Sequence, residues 1–227
     1  MVMKQKLENQ GKRKGNLSIL LDKSNQSFYW LGFLMADGCV SKQYGRIILN
    51  TVENDKEHLE KFAIYLGTKM NVVRYKGKTL NNPQPYSAYS VAIQYPSVVD
   101  SLINMMDFRP QKTYNPPSPK ILSAVLNTKK KFLSFLVGFI DGDGCIFQQS
   151  GRYRMRIVNH KSWYEIHRFF FKMLKKHNLY NGNADAHILG NKYSSMQISN
   201  PETLKKIYGI VSEKIPLMKR KWDKVIL

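Results

Sequence analysis

Residues 136–144 read LVGFIDGDG, an apolar, helix-like run that ends on two acids and two glycines. The last turn of a helix carries the negative end of the backbone dipole, so an anion there is unfavourable by roughly 0.3–1 kcal/mol. The same oddity occurs earlier, where residues 30–38 read WLGFLMADG. Superposed, Gly32 falls on Gly138, Asp37 on Asp143, Gly38 on Gly144 and Cys39 on Cys145, all at an offset of 106 residues (143 − 37). Both runs carry small residues four apart, Gly32 with Ala36 and Gly138 with Gly142, a spacing that lets two helix backbones approach closely. Their neighbours are apolar around the whole circumference, which implies burial. If the two helices pack on each other, Asp37 and Asp143 meet at one place.

Two carboxylates at adjacent negative helix ends repel each other, and a divalent cation resolves the conflict; hard oxygen ligands favour Mg²⁺. With phosphate oxygens and water completing the shell, the arrangement suits metal-assisted phosphodiester hydrolysis. A lone Asp-Gly reads as a helix stop. Two in register behind matched helices read as a site.

The balance of charge points the same way. With 36 Lys and Arg against 16 Asp and Glu, the chain of 227 residues carries a formal +20 and a pI near 9.9. That excess predicts a polyanionic partner, nucleic acid before a membrane surface. A chain that is 43% hydrophobic and 12% aromatic is not a disordered basic tail. Two cysteines at matched positions imply a reducing intracellular compartment and no disulfide framework, and are expected as small buried thiols. The N-terminus shows no apolar secretory segment, and the longest greasy run, Phe132 to Ile140, is about half of what a bilayer needs, so no membrane is expected.

Each half repeats one order of elements. After the motif helix come a strand (Val40 to Tyr44; Ile146 to Ser150), a glycine turn at Gly45 or Gly151, and a second strand (Arg46 to Thr51; Arg152 to Val158). An amphipathic helix follows, with Leu59, Phe62, Ala63 and Leu66 or Ile166, Phe169, Phe170 and Met173 on one face. Two more strands lie near Val72 to Lys76 with Ser87 to Gln94, and near Ala184 to Leu189 with Tyr193 to Ser199. A last helix starts at Pro96 or at Pro201, where Asn200 can cap it. The predicted fold is α+β: two pseudo-symmetric αββαββα halves joined through the paired helices. The predicted division is a basic N-terminal arm (1–27), a first half (28–114), a proline-bearing linker (115–131) with a short helix from Lys120 to Asn127, and a second half (132–227).

WLGFLMADG and LVGFIDGDG resemble the two motifs of the single-chain LAGLIDADG homing endonucleases, and the repeated element order extends the likeness over residues 28–227. The resemblance implies metal-binding acids at the eighth motif position, Asp37 and Asp143, aided by the carbonyls of Ala36 and Gly142. At the sixth position the second motif has the familiar acid, Asp141, whereas the first has Met35. It also implies a basic residue near the end of each half, close to the cleaved phosphates. The matching positions are Lys112 and Lys221, 75 and 78 residues after their aspartates (112 − 37 and 221 − 143); Lys219 or Arg220 are alternatives for the second. The implied function is a monomeric, Mg²⁺-dependent endonuclease that makes a double-strand cut across the minor groove of a long, partly palindromic DNA. An RNA-splicing maturase on the same fold, with intron RNA as partner, is the alternative.

Strand alternation supplies a candidate DNA surface. Arg152, Arg154 and Arg156 alternate with Tyr153, Met155 and Ile157, which puts three guanidiniums on one sheet face and apolar residues on the other. Arginine contacts either guanine edges or phosphates. In the first half Arg46 and Asn50 hold the corresponding face, followed by Arg74 and Lys76, and Gln43 and Gln149 are candidate base readers. The two sheets are expected to form a saddle over the major groove.

Overall fold

The computed structural model describes residues 15–75 and 86–226. The first half runs α1 (Asn25–Ala36), β1 (Cys39–Ser41), β2 (Arg46–Thr51), α2 (Lys56–Tyr65), β3 (Asn71–Tyr75), β4 (Tyr86–Gln94) and α3 (Pro96–Met106). A short α4 (Pro119–Val125) leads to the second half. There follow α5 (Lys129–Asp143), β5 (Gly144–Gln149), β6 (Arg152–His160), α6 (Tyr164–Lys176), β7 (His187–Leu189), β8 (Tyr193–Ile198), α7 (Pro201–Val211) and α8 (Lys219–Ile226). The αββαββα order occurs twice, and the two antiparallel sheets share one topology, β1-β2-β4-β3 and β5-β6-β8-β7.

Local chemistry fixes the helix starts. The Ser24 side chain accepts from the Ser27 amide at 3.0 Å, and Asn200 accepts from the Glu202 amide at 2.9 Å, each satisfying a donor that the first turn leaves open. Gly45 and Gly151 take positive φ (54° and 73°) at the hairpin turns. Several boundaries differ from expectation. Leu17 and Leu20 are fully buried, so part of the predicted basic N-terminal arm already contributes core before α1 begins; residues 1–14 lie outside the described residues. Thr128 caps α5, so the last linker residues belong to that helix. Helix α8 was not anticipated, because its lysines and arginine mask the buried pair Trp222 and Val225. No helix of the described residues is long and apolar enough to cross a membrane.

Helices α1 and α5 form the most extensive contact between elements. Every residue from Ser27 to Ala36 and from Phe132 to Asp141 is buried. The backbones meet at glycine: a Cβ placed on Gly32 would lie 3.0 Å from the Phe139 nitrogen and closer still to the Phe135 carbonyl oxygen. One on Gly138 would lie 3.0 Å from the Phe33 nitrogen and closer still to the Tyr29 carbonyl oxygen. Since 135 − 29 and 139 − 33 both equal the motif offset, the two contacts are images of each other about a twofold. Neither carbonyl can move without breaking its own helix, so we expect Gly138→Ala to cost about 3 kcal/mol in thermal or denaturant unfolding. A variant as stable as the native chain would refute so close a crossing.

Candidate active site

The helix pair delivers its two motif aspartates to one end. Asp37 follows the last residue of α1, and a Cβ on Gly142 would lie 3.5 Å from its carboxyl carbon, which sets that carboxyl against the residue preceding Asp143. Although the Asp37 side chain reaches solvent, the protein on its other sides strips away enough water to push its carboxyl up to about 6, and the neighbouring Asp143 adds to the rise; Lys112 and Lys221 oppose it. The cost of anions at helix C-termini is met by these two lysines. Lys112 Nζ donates to the carbonyls of Leu34 (3.0 Å), Met35 (2.8 Å) and Ala36 in the last turn of α1. Lys221 Nζ donates to Ile140 (3.0 Å), Asp141 (2.6 Å), Gly142 (3.4 Å) and Gly144 (2.7 Å) at the end of α5. Cations at these termini are favourable in their own right. Burial lowers the Lys112 amine to about 8 and depresses that of Lys221, although nearby acids pull both the other way.

The second hairpin is longer than the first. Cys39 pairs with Ile48 and Cys145 with Arg156, so β2 maps on β6 at an offset of 108 (156 − 48), not 106. That register places Thr51 opposite Asn159. Asn159 is a functional candidate that sequence reasoning missed: its Nδ2 donates to Asp143 Oδ2 at 2.7 Å. The available signal was a polar residue continuing the inward positions Tyr153, Met155 and Ile157. A cleft of about 640 Å³ opens beside it, lined in part by Ala36, Lys112, Asp143, Asn159, His160 and Tyr193.

Asp141 plays a different part from its neighbour two residues on. It is 1% exposed, and its Oδ2 accepts from the Tyr29 hydroxyl (2.6 Å) and the Met218 amide (2.8 Å), its Oδ1 from Trp222 Nε1 (2.8 Å). Burial raises its carboxyl, and these donors together with Lys221 counter the rise. It fastens α5 to α1 and α8. The matching positions, Met35 and Phe135, are both buried and apolar, so the other side exchanges the polar network for packing.

The open sheet face of the second half is as basic as alternation predicts. Arg152 and Arg156 are exposed and Arg154 half-buried, whereas Met155 and Ile157 are fully buried. Arg156 lies 5.3 Å over the Phe147 ring. In the first half Arg46 and Asn50 are exposed, with Arg46 4.9 Å over Tyr44. Gln149 ends β5 as expected, but Gln43 sits in the turn and not on a strand, because β1 stops at Ser41. Arg74 falls on β3 with its side chain outside the described ones, and Lys76 lies outside the described residues altogether. Cys39 and Cys145, expected buried, are both exposed free thiols, because pairing with Ile48 and Arg156 turns them to the open face.

Among the described residues no three His, Cys, Asp or Glu side chains gather as a metal-ligand set. The donors at this end are two carboxylates and the carbonyls of Ala36 and Gly142, all hard oxygens. Such a set fits a divalent cation that takes its remaining ligands from water and phosphate, and is poor for a soft metal.

No protein-family model matches the sequence, and no curated protein matches it. Solved structures do. The homing endonuclease I-WcaI bound to its DNA recognition sequence is 13% identical over 91% of this chain and 87% of its own, with a TM-score of 0.59. The I-LtrWI LAGLIDADG homing endonuclease bound to target DNA is 12% identical over 92% and 88%, with a TM-score of 0.53. The N-terminal LAGLIDADG domain of DUF199/WhiA, not named as a nuclease, is 16% identical over 91% and 87%, at 0.50. At these identities the likeness is one of fold. The chain has the LAGLIDADG fold in its single-chain, two-motif form.

The Asp37 carboxyl titrates near 6 in the folded chain and near 3.9 in an unfolded one, so the folded state binds the proton more tightly. Stability contributed at low pH is therefore lost as pH rises through about 6. The displacement converts to about 3 kcal/mol at most, and the exposure of the side chain reduces the expectation to about 1 kcal/mol. Asp37→Asn should exceed the metal-free native chain in stability by that amount above pH ~6, with the gain vanishing below pH ~4. Denaturant unfolding at several pH values measures it; a gain independent of pH would refute the shift.

Proposed function

We propose that the chain is a site-specific, metal-dependent homing endonuclease that cuts both strands of a long, partly palindromic DNA as a monomer. The observation that supports this reading above the others is the junction of α1 and α5. There two acids meet at twofold-related helix ends, each helix end with its own lysine, in a chain whose sheets carry exposed arginines. A bound Mg²⁺ would supply charge neutralisation at the phosphate and an acidified water; Asp37, Asp143 and the carbonyls of Ala36 and Gly142 would hold it. Asn159 keeps the Asp143 carboxylate turned to one side. Lys112, with an amine lowered to about 8, can donate a proton to a leaving oxygen near neutral pH and regain it from solvent. Arg46, Asn50, Arg152, Arg154 and Arg156 would grip the duplex, and their inequality between halves implies a target that is not a perfect palindrome.

A randomised duplex library with Mg²⁺, sampled for cleaved molecules, identifies the target. On it, Asp37→Asn or Asp143→Asn should abolish double-strand cleavage while leaving binding nearly intact; undiminished cutting by both variants would end the metal reading. Binding itself should weaken steeply with salt: with roughly 8 phosphates contacted, log K should fall with a slope of about −7 against log salt. A slope near zero would remove the electrostatic part.

RNA maturation is the second reading. It is favoured by a groove of about 1030 Å³ between α4 and α6, lined by Lys120, Lys172, Lys175 and Lys176 among others, on the helical side of the second half.

A further inference from the structure

Behind Asn159 a buried chain of hydrogen bonds continues inward. His167 and Ser194 are both 0% exposed. His167 Nε2 lies 3.0 Å from Asn159 Oδ1, and His167 Nδ1 lies 2.7 Å from Ser194 Oγ. Donor inventory fixes the direction of every bond. The Asp143 carboxylate can only accept, so the Asn159 amide nitrogen must face it and the amide oxygen must face His167. That oxygen can only accept, so His167 carries its proton on Nε2. Its Nδ1 is then an acceptor, and Ser194 donates. The ring is neutral in this scheme, which its burial favours.

Among the described residues the first half has no such chain. Thr51 occupies the register position of Asn159, and its buried Oγ1 makes no hydrogen bond within the described residues. Tyr89 occupies the position of Ser194, since Asn159 pairs with Ser194 and Thr51 with Tyr89, and its hydroxyl is bonded to Glu53. The α2 histidine, His58, turns instead to the Tyr29 hydroxyl at 2.7 Å. A side-chain amide can present either its oxygen or its nitrogen to a neighbour, and only an outside partner decides which.

We propose that His167, as its Nε2–H tautomer backed by Ser194, is a positioning residue that locks the Asn159 amide and thereby holds Asp143 in its metal-binding orientation, so that Asp143 is organised before metal arrives and Asp37 is not. The proposal rests on the metal site of the preceding reading, and its tests separate the two. Isotope-labelled histidine, followed by long-range proton–nitrogen NMR in the metal-free protein, should show His167 neutral with its proton on Nε2 near neutral pH. A proton on Nδ1, or an imidazolium, would overturn the scheme whatever the protein does to DNA. Mn²⁺ binding to the protein alone, measured by electron paramagnetic resonance, then tests the consequence. His167→Phe should weaken binding about 10-fold, whereas His167→Gln, whose amide can donate to Asn159 and accept from Ser194, should restore most of it. Phe and Gln variants that bind alike would overturn the positioning role, and Ser194→Ala gives a milder lesion should the Phe variant not fold. If the native chain bound no Mn²⁺, the metal reading would fall and with it the consequence for Asp143, while the tautomer result would still decide the histidine–amide lock.

Discussion

The closest approach of α1 and α5 is set by two glycines, and the rest of the molecule is arranged around that distance. Because Gly32 lies on the Phe135 carbonyl and Gly138 on the Tyr29 carbonyl, the helices are in backbone contact and not separated by side chains. The helix ends converge, so Asp37 and Asp143 share one neighbourhood that no spacing along the chain could have created. Each sheet follows its helix end directly through a hairpin, β1 starting at Cys39 and β5 at Gly144. A methyl group at either glycine would act on both the site and the surface, since each depends on the same crossing.

That convergence generates its own electrostatic problem, and the remedies are unequal in kind. Lys112 and Lys221 bond to three and four carbonyls at the two helix ends, which answers the dipole. The carboxylates themselves stay in mutual repulsion, which adds to the larger effect of burial in raising Asp37. Under the proposed function a shared divalent ion would turn that repulsion into attraction. Asp141 shows the opposite treatment: three donors surround it, and it has no vacancy for anything else.

The doubled pattern, the element order and the alternating arginines were legible because each is periodic: a repeat of 106 residues, a helical period and a strand period of two. Asn159, His167 and Ser194 were not, because their meaning comes from contacts among β6, α6 and β8 that no single periodicity along the chain reports. The two-residue difference in hairpin length hid the match of Thr51 with Asn159. Cys39 and Cys145 were misread because residue preference for burial was applied without the strand pairing that turns them outward. The resemblance leaves Lys219 and Arg220 open beside Lys221, and the set of carbonyl contacts distinguishes Lys221 from both; Arg220 is engaged elsewhere.

That other engagement shows how the halves hold each other. Arg220, next to Lys221, makes two bonds to Asp55 of the first half, 2.7 and 2.9 Å, at the turn between β2 and α2. At the corresponding turn of the second half, Trp163 Nε1 donates to the carbonyls of Lys112 (3.1 Å) and Thr113 (3.2 Å), and Ser162 Oγ donates to Thr113 (3.0 Å). Asp55 and Trp163 stand at the 108-residue offset of the second strands (163 − 55), so the same place in each half fastens the lysine segment of the other. The chemistry differs: one fastening is a bidentate ion pair with a half-exposed arginine, the other a buried indole on backbone carbonyls. The cross-connection means that neither lysine can leave its helix end without loosening the opposite half. Twofold geometry has thus been retained where it sets distances, at the glycines, acids and lysines. The surrounding shell has diverged between the halves.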